Sequence, residues 1–177
     1  FFLERVINEN PDSKILVFVR TKVRAERVSK AMERVGIVTQ TIHGDKEQQD
    51  RLEVMRQFRS GAVKVLIATD VSARGIDIPD VDYVVNYDLP DVAENYVHRV
   101  GRTGRGTKKG LAVSFCSPEE KPMLAEIEKF LTKSIRVLEI SKAEYEETLD
   151  LTSETGDKWK AVMKEIEEAE KWMKKKK

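Results

Sequence analysis

A single cysteine, Cys116, leaves this 177-residue chain without a partner for an internal disulfide. That fits a reducing compartment. Cys116 follows the apolar run 111–115 and reads as a buried small hydrophobe, not a catalytic thiol. No uninterrupted apolar segment approaches the roughly 20 residues that a membrane span needs. The first residues carry no signal-peptide pattern, and Phe1 stands where an initiator Met would. Together these predict a cytoplasmic piece of a longer chain. Charge of one sign is also lacking, since 32 Lys and Arg face 31 Asp and Glu for a net charge of +1. A balance that close excludes nucleic-acid binding through the overall field, so any phosphate contact has to come from a local cluster. No internal repeat is visible, and no metal-ligand set is expected.

What the chain does have is a regular alternation. Short runs rich in Val and Ile occur at 15–19, 38–42, 63–68, 83–87 and 111–115. They are nearly continuous, which suits strands buried on both faces of a parallel sheet. Helical patterns lie between them. Val28, Met32 and Val35 keep helical spacing, and Gly36 supplies a stop. Leu52, Met55 and Phe58 fall at steps of three, with Asp45 as N-cap, Gln48 completing a capping box, and Ser60-Gly61 ending the helix. Ser117, Pro118 and Glu120 form a stronger start signal for a helix carrying Leu124, Ile127 and Leu131. Strand–helix alternation predicts an α/β fold, a parallel sheet flanked by helices on both faces. Ligands on such sheets bind at the carboxyl ends of the strands. The boundaries predicted are a lobe over 1–140 and a helical extension with a basic tail over 141–177, where Trp159, Val162, Met163, Ile166, Ala169 and Met173 lie near one stripe.

The most specific segment is YVHRVGRTGR at 96–105. His98, Arg99, Arg102 and Arg105 place four cationic or potentially cationic side chains within eight residues. Arg99, Arg102 and Arg105 recur every third residue and would share a face in a helical turn. Gly101 and Gly104 intervene, each costing about 1 kcal/mol inside a helix, which points to a backbone that something approaches closely. Guanidinium groups match phosphate oxygens bidentately, so a glycine-separated arginine array suits a polyphosphate clamp. A solvated basic helix paired to local Glu residues is the bland alternative.

HRVGRTGR at 98–105 resembles the sixth motif of superfamily 2 helicases in its DEAD-box form. ATDVSARGIDIP at 68–79 is similar to the fifth motif, HGDKEQQDR at 43–51 to the HGD and QxxR elements, and VFVRT at 17–21 to the fourth. Four motifs in the family's order make a chance match improbable. The resemblance implies a RecA-like C-terminal lobe of an ATP-dependent RNA helicase, with RNA and the N-terminal RecA-like lobe as partners. It implies that Arg102 and Arg105 reach the γ-phosphate of ATP, Arg105 as the arginine finger. It assigns Asp77 to the ribose and the backbone around Gly75 to the nucleotide. Arg74, His98 and Arg99 would bridge the lobes. Thr21, Gly44, Arg51 and Thr69 would hold RNA phosphates. Arg20, where many relatives carry a small polar residue, adds a candidate phosphate contact.

Each assignment has a structural competitor. Thr21 would also cap the helix starting near Lys22. Arg51 would pair with Glu47. Thr69, Asp70 and Asp77 suit turns. His43 and Asp88 read as structural. The chain has no G-x-x-x-x-G-K-[ST] loop and no D-E-A-D sequence. ATP and Mg²⁺ are therefore expected mainly on a first lobe, with none bound by this chain alone and no ATPase activity from it. After the arginines, Gly106-Thr107 replaces the usual Ala-Gly without changing loop length. The tail, with Trp159 and Trp172, resembles the extension of RhlE-like bacterial DEAD-box proteins and is a further candidate surface for protein partners. A non-enzymatic RNA-binding or docking module and a DNA translocase lobe are the competing functions.

Overall fold

The five apolar runs become five parallel strands in the computed structural model, which describes residues 2–74, 78, 81–104 and 110–138. The strands are β1 (Ile15–Phe18), β2 (Thr39–Ile42), β3 (Val65–Ala68), β4 (Tyr83–Asn86) and β5 (Leu111–Ser114), in the order β2-β3-β1-β4-β5. The register is regular: Phe18 lies beside Ala68 and Asn86, Ile42 beside Ala68, and Asn86 beside Ser114. Their carboxyl ends therefore form one level edge.

Alternation along the strands fills two cores. Leu16, Phe18, Leu66, Ala68 and Val84 face Val54, Met55 and Phe58 of α3 (Gln48–Ser60) and Ala73 of α4 (Asp70–Arg74). Ile15, Val17, Val65, Ile67 and Val85 face Leu3 and Ile7 of α1 (Phe2–Asn8) and Ala25, Val28 and Met32 of α2 (Lys22–Arg34). Helices thus cover both faces, as the near-continuous apolar strands predict. A third cluster joins Leu89, Tyr96 of α5 (Ala93–Val100) and Ile127 of α6 (Lys121–Leu131).

Several helix boundaries follow the expected chemistry. Gly36 stands just past α2 at φ 77°, and Gly61 just past α3 at φ 80°, both left-handed positions that glycine fills without strain. The Glu120 carboxylate accepts the Ser117 N–H at 3.2 Å, and the short 3₁₀ turn Pro118–Glu120 leads into α6. The start of α3 differs from its prediction: Glu47 is the N-cap, and the Asp45 carboxylate is taken by Lys22 Nζ at 2.5 Å. Leu52 is 62% exposed, because α3 buries Val54, Met55 and Phe58. Val35 is exposed as well, lying at the C-cap beyond the last turn of α2. Cys116 is exposed, not buried, since it follows the edge strand β5, whose Leu111 is also exposed. Burial of part of its surroundings and the nearby Glu120 carboxylate raise the Cys116 thiol pKa, which disfavours the nucleophilic thiolate.

By its contacts the chain divides into two units, Phe1–Ile135 and Arg136–Lys177. Of the second, only residues 136–138 are described, so the expected amphipathic helix with Trp159 and Trp172 lies outside the described residues. No described helix is long and apolar enough to cross a membrane.

Candidate functional site

α2 leaves β1 toward one face of the sheet, and α4 leaves β3 toward the other. Adjacent strands whose connections part in this way open a crevice at their carboxyl ends. A small cleft lies there, lined by Phe18, Asp70, Ala73, Asn95, His98, Arg99 and Arg102. It gathers the end of β1, the start of α4 and the arginine segment after α5.

Arg99 forms the floor. It is 1% exposed. Its Nε and Nη2 donate to the two carboxylate oxygens of Asp70 at 2.7 and 2.8 Å. Nη1 donates to Asn86 Oδ1 at 3.1 Å and to the Asp88 carbonyl at 2.7 Å. The guanidinium also lies 5.0 Å from the Phe18 ring centroid. Arg99 thus ties α5 to α4, β1 and β4 within this lobe.

Arg102 is placed differently. α5 ends at Val100, Gly101 is its C-cap, and Gly104 takes φ 75°. The Arg102 N–H donates to the Arg99 carbonyl at 3.1 Å in the turn that follows α5, and both arginines line the cleft. Arg102 is half-buried against the cleft, and no carboxylate among the described residues pairs with it. His98 is exposed on the same cleft. Thr103 locks the turn from beneath: its hydroxyl donates to the carbonyls of Val81 at 2.6 Å and Asp82 at 3.0 Å. Gly110 closes over it. A Cβ there would meet Thr103 Oγ1 at 1.9 Å and Gly104 N at 2.3 Å. Arg105 follows directly but lies outside the described residues, as do Gly75 and Asp77; Arg74 ends α4, with its side chain outside them too.

The other candidates lie along the strand ends. Thr21 is exposed and N-caps α2, its hydroxyl accepting from Arg24 N at 3.2 Å. Gly44 is exposed just past β2; a Cβ at that position would have nothing within 4 Å, and the φ is not left-handed. Packing in this lobe therefore does not require glycine there. Arg51 sits on α3 with a buried Nε that has no partner, and it forms no ion pair with Glu47. Two candidates are engaged with other side chains of the lobe. Thr69 is 7% exposed, with its hydroxyl 3.1 Å from Ser72 Oγ at the start of α4. Arg20 is exposed and bonds Asp91 at 3.1 Å, Glu120 at 3.0 Å and the Leu89 carbonyl at 3.2 Å, so its charge is paired within the lobe.

Of the anchors beneath this edge, sequence reasoning found Asp88 and His43 and passed over Glu26. Asp88 is 4% exposed; it accepts from Arg20 N at 2.9 Å and pairs with Arg24 at 2.8 Å, in keeping with its structural reading. Glu26 of α2 accepts from Thr41 Oγ1 at 2.6 Å and His43 Nε2 at 2.9 Å. The Thr41 hydrogen bond is the main reason its carboxyl pKa is lowered, with His43 and Lys46 adding to the effect. Nothing in the spacing of Glu26 marked it out, because the partners lie 15 and 17 residues away. Among the described residues no group of three or more His, Cys, Asp or Glu stands where it would hold a metal.

Similarity to known proteins agrees with this geometry. Residues 2–107 match the helicase conserved C-terminal domain. The ATP-dependent RNA helicase CshA of Listeria monocytogenes is 43% identical over 137 residues, covering 77% of this chain and 26% of CshA. The ATP-dependent RNA helicase DbpA of Bacillus subtilis is 45% identical over 139 residues, covering 78% and 29%. A solved DEAD box protein from the hyperthermophile Methanococcus jannaschii superposes with a TM-score of 0.73 at 39% identity, over 78% of this chain and 38% of that one. The chain thus spans between a quarter and a third of the length of these curated relatives. Its parallel sheet is RecA-like, and the chain belongs to the helicase conserved C-terminal domain family in the form carried by DEAD-box RNA helicases.

Proposed function

We propose that this chain is the second motor lobe of an ATP-dependent RNA helicase and completes a nucleotide site whose other half lies on a first lobe. The carrying observation is Arg102: a half-buried guanidinium on a cleft at the sheet's carboxyl edge, without a carboxylate partner among the described residues. An unneutralised guanidinium at that place suits the γ-phosphate of ATP, whose oxygens it would bond bidentately. Bound ATP supplies the phosphoryl group and Mg²⁺ shields its charge. This lobe's part is to present Arg102, and Arg105 as the arginine finger, to charge that develops during transfer. His98 and Arg74 face the first lobe in this reading, and Asp77 and Gly75 meet the ribose and nucleotide backbone.

Thr21, Gly44 and Arg51 form the RNA-phosphate side of the edge. Their contacts position a strand and carry no base information. Thr69 and Arg20 belong to the same RNA-phosphate edge in this reading, and each also bonds within the lobe. The finer placement we favour is RhlE-like, bacterial and cytoplasmic, supported by the tail pattern around Trp159 and Trp172 and by the unpaired thiol. The test is RNA-stimulated ATP hydrolysis by the full-length protein. Arg102→Ala and Arg105→Ala should each abolish most of it while leaving the fold intact. Hydrolysis unaltered by both changes would refute the reading.

A further inference from the structure

Gly44 is held from both sides by the same helix. On one side, His43 is 8% exposed and its Nε2 bonds the Glu26 carboxylate at 2.9 Å, which also receives the Thr41 hydroxyl at 2.6 Å. On the other, Asp45 bonds Lys22 Nζ at 2.5 Å. Glu26 and Lys22 are four residues apart on α2, so they project on one face about one turn from each other. The first residue of that arrangement is Thr21, the N-cap of α2. Thr21 and Gly44, two of the proposed phosphate contacts, are thus spaced by one rigid element. Gly44 lies between two anchored neighbours with its backbone exposed and its Cβ direction empty.

The chemistry of the inner clasp is directional. An ionised carboxylate only accepts hydrogen bonds, so Nε2 of His43 carries the proton that faces Glu26. The opposite nitrogen, Nδ1, is buried and has no partner. The reversed tautomer would set a lone pair against the carboxylate and bury an N–H donor without an acceptor, a cost that buried polar groups avoid. The imidazole is therefore oriented by Glu26 and not by packing alone. Thr41, 3% exposed at the penultimate position of β2, fixes the carboxylate in turn.

From this we infer that Glu26 is a positioning residue of the RNA-phosphate grip, holding the exit of β2 so that the Gly44 backbone and Thr21 stay at a set spacing. The inference rests on the reading that this edge binds RNA. It touches neither the arginine segment nor the cleft, so its signature is separate from that of Arg102. Loosening the clasp should weaken the response to RNA and leave turnover at saturating RNA in place. Glutamine keeps an acceptor oxygen for both donors and should restore the grip.

The experiment is steady-state ATP hydrolysis by the full-length protein against a single-stranded RNA, with thermal melts alongside. For Glu26→Ala, the RNA concentration giving half-maximal stimulation should rise about threefold to tenfold, with kcat within twofold of wild type. Glu26→Gln should lie within twofold of wild type in both. Lys22→Ala removes an exposed ion pair, a kind that contributes little to stability; it should raise the same concentration about twofold and carries the decision if Glu26→Ala melts below the assay temperature. An unchanged half-maximal concentration in Glu26→Ala, or in Lys22→Ala where that variant decides, would overturn the inference while the motor reading stood. A loss of kcat in Glu26→Ala that Gln fails to restore would mark a merely structural role. If the wild-type protein shows no stimulation by RNA, the motor reading and this inference fall together.

Discussion

The two carboxylate oxygens of Asp70 meet Arg99 Nε and Nη2 at 2.7 and 2.8 Å, joining the first turn of α4 to the last turn of α5 beneath the cleft. The pair is asymmetric in burial: the Arg99 side chain is 1% exposed and that of Asp70 27%. Removing Asp70 therefore strands a buried cation, whereas the carboxylate can still reach water.

Asp70→Ala should lower the unfolding free energy by about 3 kcal/mol, at the low end for a broken buried pair. Arg99→Lys should also destabilise, because an ammonium cannot serve Asp70, Asn86 and the Asp88 carbonyl in one plane. Urea unfolding followed by circular dichroism checks both. A loss below about 0.5 kcal/mol in each would show that the network adds little to stability.

Arg102→Ala should do the opposite. With no carboxylate partner among the described residues, its removal should change stability by no more than about 0.5 kcal/mol. In the full-length protein it should lower kcat for RNA-stimulated ATP hydrolysis by about 10²–10³, the usual cost of deleting a donor to developing charge. Parallel melts and kinetics on one preparation separate the two arginines.

Two glycines invite a paired comparison. Gly110→Ala would drive a Cβ to 1.9 Å from Thr103 Oγ1 and 2.3 Å from Gly104 N, so backbone has to shift. A cost of about 1–3 kcal/mol is expected, as for other overpacked sites. Gly44→Ala meets nothing within 4 Å and should leave the melt unchanged or slightly raised. On the proposed role of Gly44 in holding an RNA phosphate, its effect should appear in RNA affinity, measured by fluorescence anisotropy, because the added methyl group would crowd that contact.

The Glu26 carboxyl has a pKa below its ordinary 4.5 in the folded state, with the Thr41 hydroxyl as the leading cause. The folded state thus favours the ionised form. The stability this contributes is fully present above the unfolded value and is lost as pH falls through the lowered folded value. The gap in melting temperature between wild type and Glu26→Gln should be constant near neutrality and shrink below about pH 4.5. A gap that widens on acidification would contradict the assignment.

Sequence periodicity carried most of the fold. Strands with buried residues at every position, such as Ile15–Phe18 and Val65–Ala68, announce themselves as uninterrupted apolar runs. Gly36 and Gly61 mark helix ends because a left-handed φ is costly for other residues. The motif residues were legible as types in an order, and their positions at strand ends followed from the parallel sheet. Periodicity was weaker where exposure depends on neighbours. Leu52 and Cys116 are apolar by composition yet exposed, because one faces away from the sheet and the other follows an edge strand.

By itself, then, the sequence determined the strand and helix alternation, the family and the set of residues near the strand ends. Which of those residues are available was decided only in three dimensions. Arg99 and Arg102 are three apart, chemically identical and line one cleft, but Arg99 is 1% exposed and held by Asp70, Asn86 and the Asp88 carbonyl, whereas Arg102 is half-buried with no carboxylate partner among the described residues. Arg20 is neutralised by Asp91 and Glu120, which lie far along the chain. Glu26 gains its place from Thr41 and His43 across a helix–strand contact. Side-chain identity is local, whereas charge pairing and burial are set by what the fold brings alongside.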